Sequence, residues 1–323
     1  MCFLKKLFIA ILFISVCTLS ACSYFESGNI QNVGFLVETD IDENPWTQTG
    51  YEGMQQIEDK YQVDVMYKEN IQSMQDVRVA VDELAQDGVN LIFGHSNMYG
   101  EYFMELSDSY PDVHFVYMNG GEVKSNVTSL NFDGHAMGFF AGMVAGQMTM
   151  NNDVGIIAAH SWQPEIEGFY EGVKYISPTT EIELDYLNDW NNTELALKVY
   201  EEMEEEGVDV FYPIGNSFSE PIIKKAQEDN LYAIGYLTNQ TELAPDTVLT
   251  STLQHIDQLY LHITDLFDKS ELQGEIYNFD FQDEFVGLGE FNETISDEFQ
   301  EKIKSDIQRF KETGNLPNED NKN

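Results

Sequence analysis

From residue 32 onward, short apolar runs alternate with stretches whose apolar positions recur every three to four residues, a strand-and-helix repeat. The pattern predicts strands at 33–37, 63–67, 89–93, 113–117 and 127–132, with helices at 46–60, 73–87 and 98–109 between them. These strands are apolar throughout rather than alternating, as expected where helices cover both faces of a parallel sheet. A second series after Asp133 repeats the plan, with helices at 136–148, 165–175, 193–206 and 220–229 and strands at 154–158, 182–186, 208–212 and 231–235. Two segments echo each other: Asp87-Gly88-Val89-Asn90 and Glu206-Gly207-Val208-Asp209 each set a glycine helix cap before a buried strand. The remaining elements, strands at 247–252, 276–279 and 285–288 and helices at 256–267 and 296–313, are too few for a third domain and return to complete both sheets. The expected architecture is α/β: lobe 1 from 32–132 plus 240–274, lobe 2 from 133–239 plus 275–313, and a flexible polar tail at 314–323.

The start of the chain has a different character. Lys5 and Lys6 precede an apolar run at 7–16, and Leu19-Ser20-Ala21-Cys22 follows. The run is too short for a permanent membrane span. The tetrapeptide resembles a bacterial lipobox, which implies a signal peptide at 1–21, a lipid thioether on Cys22 and a tether at 22–31. The implied location is the extracellular face of a cell membrane, with the bilayer as a partner. Cys2 and Cys17 leave with the signal, so no disulfide and no cysteine metal site is expected.

Charge narrows the function. The chain has 57 Asp and Glu against 16 Lys and Arg, a net charge of −41. Direct nucleic-acid binding is not expected, because affinity for phosphate comes from clustered cations. The sequence lacks a phosphate loop, a Gly-x-Ser-x-Gly elbow and a His-Glu-x-x-His helix, so neither an enzyme nor a cofactor is expected. Asp40-Ile41-Asp42-Glu43-Asn44 opens like a calcium loop but has Pro45 where glycine is required.

Open parallel sheets bind ligands at the carboxyl ends of their strands. Those ends supply the candidate binding residues Glu38, Asp40, His95, Ser96, Asn119, His160, Asp189, Gly215, Asn216, Tyr236 and Asn239. Trp46, Trp162 and Trp190 all fall in these loops or at the helix starts beyond them, which suggests an aromatic-walled cleft for a small molecule.

Further motifs carry a family resemblance over most of 32–317. They are Ser129-Leu130-Asn131-Phe132, the small-residue run Gly138-Phe139-Phe140-Ala141-Gly142-Met143-Val144-Ala145-Gly146, Gly168-Phe169-Tyr170-Glu171-Gly172 and Val248-Leu249-Thr250-Ser251-Thr252. With the lipobox, they make the chain similar to the basic membrane protein family of bacterial lipoproteins. The resemblance implies a type I periplasmic-binding-protein fold of two Rossmann-like hinged lobes, and a role as substrate-binding component of an ABC importer, some members being purine nucleoside receptors. A permease would then be a partner. Compared with the family pattern, Thr47 stands in place of Asn, Leu237 in place of a ligand-binding Asp and Gln254 in place of Lys, so nucleoside binding in the usual mode is not expected. Gly94-His95, Trp162-Gln163-Pro164-Glu165 and Val208-Asp209-Val210 resemble a regulatory branch that activates competence genes, which implies indirect action through a membrane regulatory partner.

Overall fold

The computed structural model describes residues 29–319. The signal segment and Cys22 lie outside the described residues. Two six-stranded sheets form the centres of two lobes. The first contains β1 (Val33–Leu36), β2 (Val65–Lys68), β3 (Leu91–Gly94), β4 (His114–Met118), β5 (Val127–Phe132) and β11 (Ile276–Phe279). Its order is β11-β5-β4-β3-β1-β2, all parallel. Helices α1 (Pro45–Tyr61), α2 (Met74–Gln86) and α3 (Tyr99–Leu106) cover it. They are joined by α8 (Ile256–Asp268), which packs along α1 and is fastened by Lys60 Nζ to Asp265 at 2.7 Å.

The second sheet holds β6 (Asp153–Ala158), β7 (Glu181–Tyr186), β8 (Val210–Ile214), β9 (Tyr232–Gly235), β10 (Val248–Gln254) and β12 (Val286–Leu288), in the order β12-β10-β9-β8-β6-β7. Only β12 among these runs antiparallel. Its helices are α4 (His135–Met148), α5 (Pro164–Ile176), α6 (Thr193–Glu206), α7 (Ser219–Asp229) and α9 (Asp297–Thr313). One core runs through both lobes, joining Phe93 of the first sheet to Phe139 and Phe140 of α4 and Tyr212 of the second.

Five expectations need correction. Strand 248–254 belongs to the second sheet, paired with β9, and strand 276–279 to the first, paired with β5. The chain therefore crosses between lobes three times, directly after β5, β10 and β11. The run expected at 208–212 is β8, displaced to 210–214. Pairing with β9 ends at Phe211, so Pro213 forfeits no ladder bond and the strand runs through it. The tail is not loose over its described part: Leu316 is buried in the core and Asn318 Nδ2 donates to Glu171 Oε2 at 2.9 Å. The end of the expected tether is likewise held, with Ile30 N donating to Asp268 Oδ1 and Gln31 N to Asn90 Oδ1.

Helices α4 and α5 cross backbone to backbone. A side chain at Gly138 or Gly142 would strike the carbonyls of Glu165 or Phe169, and one at Gly168 or Gly172 those of His135 or Phe139. Glycine is required at these four sites by that approach, and the contact fixes the first turn of α5 at the junction of the lobes.

Candidate functional site

The carboxyl ends of both sheets face a common cavity of about 120 Å³, large enough for a small metabolite rather than a single water. On the first-lobe side, Asn44 caps α1 by accepting from Thr47 N at 3.0 Å, and Pro45 occupies the first helical position. This cap aims Trp46 into the cavity. Trp46 stacks on His95, with ring centroids 4.5 Å apart and an interplanar angle of 22°, and its Nε1 donates to the His95 carbonyl at 3.1 Å. His95 Nε2 donates in return to the Trp46 carbonyl at 2.7 Å, which leaves Nδ1 to accept from Tyr260 at 2.5 Å. Burial lowers the His95 pKa to about 4 despite the opposing bond to Trp46, so the ring is a neutral brace.

The second lobe supplies an aromatic cluster. Trp162 and Trp190 meet edge to face at 5.7 Å. His160 lies parallel to Trp162 at 5.5 Å. Asn216 N donates to the Trp190 carbonyl at 3.0 Å, tying the loop after β8 to the loop after β7. The phenol of Tyr236 is pushed well above its ordinary pKa by burial and by nearby Glu165.

Nine of the expected residues line the cavity: Glu38, Trp46, His95, Ser96, Asn119, Trp162, Trp190, Asn216 and Tyr236. Five do not. Asp40 accepts instead from Asn70 Nδ2 at 2.7 Å, and Asp189 from Asn191 N at 2.8 Å. His160 backs Trp162, and Gly215 lies against the Phe218 ring. Asn239 faces a separate groove with Leu253 and Gly287. Leu237 takes a left-handed conformation, φ 73°, and is buried outside the cavity.

Sequence reasoning missed Thr39, Asn97, Gln163, Pro164, Asn191 and the junction residues Phe132, Glu165 and Gln254 as one group. Phe132 and Gln254 end β5 and β10, where the chain changes lobe; strand position pointed to both, and for Gln254 so did the family pattern, which has Lys there. Gln254 Nε2 donates to Glu165 Oε1 at 3.2 Å. Burial, with a smaller push from Asp133, raises the Glu165 pKa to about 7 against the pull of a backbone hydrogen bond.

Two lobes, three crossings and a cavity at the strand ends define a two-lobed solute-binding protein. The chain belongs to the Bmp family of PnrA-like ABC transporter substrate-binding proteins, matched over residues 30–320. It is 41% identical over 290 residues to the transcriptional activator protein Med of Bacillus subtilis strain 168, covering 90% of this chain and 92% of that protein. The crystal structure of a transcriptional activator of the comK gene from Bacillus halodurans superposes with a TM-score of 0.84 at 41% identity, over 88% of this chain and 99% of the other. An ABC transporter solute-binding protein from Aeropyrum pernix K1 shares the fold at 20% identity, with a TM-score of 0.69 over 89% of this chain and 81% of its own.

Proposed function

We propose that the protein is a receptor anchored to the extracellular face of the membrane through lipid on Cys22, binding a small solute between its lobes and closing by rotation about the three crossings. The observation that carries this reading is a cavity walled from both lobes, by Trp46 on one side and Trp162 and Trp190 on the other. Closure brings those indoles together, so a bound solute shifts tryptophan fluorescence saturably. Native mass spectrometry of the purified protein tests the same point through a co-purified compound. No shift from nucleosides, sugars, peptides or organic cations, with no co-purified compound, refutes it. Anchoring has its own test: Cys22→Ala should release the protein into the medium, and unchanged membrane retention counts against the tether.

The loaded receptor would dock on a permease for uptake or on a regulatory membrane partner. Resemblance to two proteins named as transcriptional activators supports the second role. The net charge of −41 opposes direct contact with DNA, so regulation would proceed through a membrane partner. A deletion strain that loses competence-gene transcripts while keeping solute uptake supports regulation, and the reverse supports import.

A further inference from the structure

One carboxyl group at the junction of the lobes lacks a counter-charge. Glu165 is 4% exposed, and while its Oε1 accepts from Gln254, its Oε2 is buried without a hydrogen-bond partner. Such a group is costly to bury unless something arrives to satisfy it. It shares the cavity with Glu38 and three indole rings, and no Lys or Arg is among the lining residues. Phosphorylated and carboxylated solutes would find no cation there. Aromatic faces and a buried carboxyl oxygen without a partner at the cavity wall instead suit a positive charge of low hydration. We propose that the cleft selects a small organic cation, an alkylammonium or quaternary ammonium compound, with its charge against Glu165 Oε2 and its apolar part between the indoles.

The inference rests on the solute-binding reading and adds its ligand class. The titratable groups facing Glu165 are Asp133 before α4, Tyr212 on β8 and Tyr236 after β9, none of them cationic. His135 at the start of α4 is directed to Glu171, 3.7 Å away, and His95 is held neutral. A bound cation therefore favours the ionised carboxylate, and binding below about pH 7 displaces a proton from Glu165.

The test titrates the full-length protein in detergent with tetramethylammonium, choline and benzylammonium, against adenosine, glucose and adenosine monophosphate, by tryptophan fluorescence. The cations should saturate, with affinity rising from about pH 6 to about pH 8. Glu165→Gln should weaken them by about tenfold or more. Gln254→Lys places an ammonium beside Glu165 and should weaken them similarly; circular dichroism checks that both variants remain folded. Adenosine or glucose binding with silent cations overturns this inference and leaves the solute-binding reading intact. Unchanged cation affinity in both folded variants, or affinity that falls with rising pH, also overturns it. Silence from every probe, with no co-purified compound, removes both.

Discussion

Glu165 occupies the second position of a helix, where an acidic side chain ordinarily complements the helix dipole. Local pattern therefore reads it as part of a helix start, and only the approach of β10 and the glycine-lined crossing of α4 reveal a buried carboxyl group. His95 was legible as a strand-end residue, yet its ring braces Trp46 rather than standing free in the cavity. For Glu165 the folded group keeps its proton to about pH 7, while the ordinary value is 4.5. The folded state thus binds more protons across that window, and stability declines as pH rises through it, by on the order of 3 kcal/mol once fully ionised. Glu165→Gln should raise the melting temperature of the ligand-free protein at pH 8 and leave it nearly unchanged at pH 4. Thermal melts at the two pH values check this, and equal shifts at both would show that the group is not held protonated. His95 and His114 act in the opposite sense. Burial holds each near 4 against an ordinary 6.5, so their contribution is complete above 6.5 and is lost as pH falls toward 4.

Among the elements, the echoed segments at 87–90 and 206–209 fulfil the same task in each lobe. Asn90 receives Gln31 N and donates to the Asn29 carbonyl, securing the entering chain. Asp209, 1% exposed, receives Thr149 Oγ1 and the backbone amides of Met150 and Asn151 at 2.6–2.8 Å. Asp209→Ala strands those donors and should cost about 2–3 kcal/mol, measured by urea unfolding, whereas Asn90→Ala, at a more open site, should cost about 1 kcal/mol. Most helices and strands were readable from periodicity because each buries its own face. Sheet membership was not: which sheet receives β10 and β11 depends on where the chain crosses, which no local run of residues records. Edge strand β7 alternates Glu181, Glu183 and Asp185 with Ile182, Leu184 and Tyr186, yet Leu184 and Tyr186 are exposed while Glu183 is half-buried, so the alternation does not tell the open side of this edge from the covered one.

Across the whole molecule, the excess of negative charge acts mainly through self-repulsion. Around β7 it is concentrated: burial, with Asp153 and Glu206 adding repulsion, raises the Glu183 pKa to about 7. Melting temperature should rise when potassium chloride is increased from about 0.02 M to about 1 M, because screening relieves repulsion faster than it weakens the few surface ion pairs. Differential scanning calorimetry reads this directly, and a falling melting temperature would show that attractive pairs dominate.

The late exchange of strands between sheets also governs how a growing chain must mature. A polypeptide halted before Ile276 leaves β5 with a bare edge in one half and β10 with a bare edge in the other. Neither half can close while synthesis is incomplete. Fragments ending there would expose adhesive backbone on both halves at once, and only a chain complete through Leu288 can cover both edges.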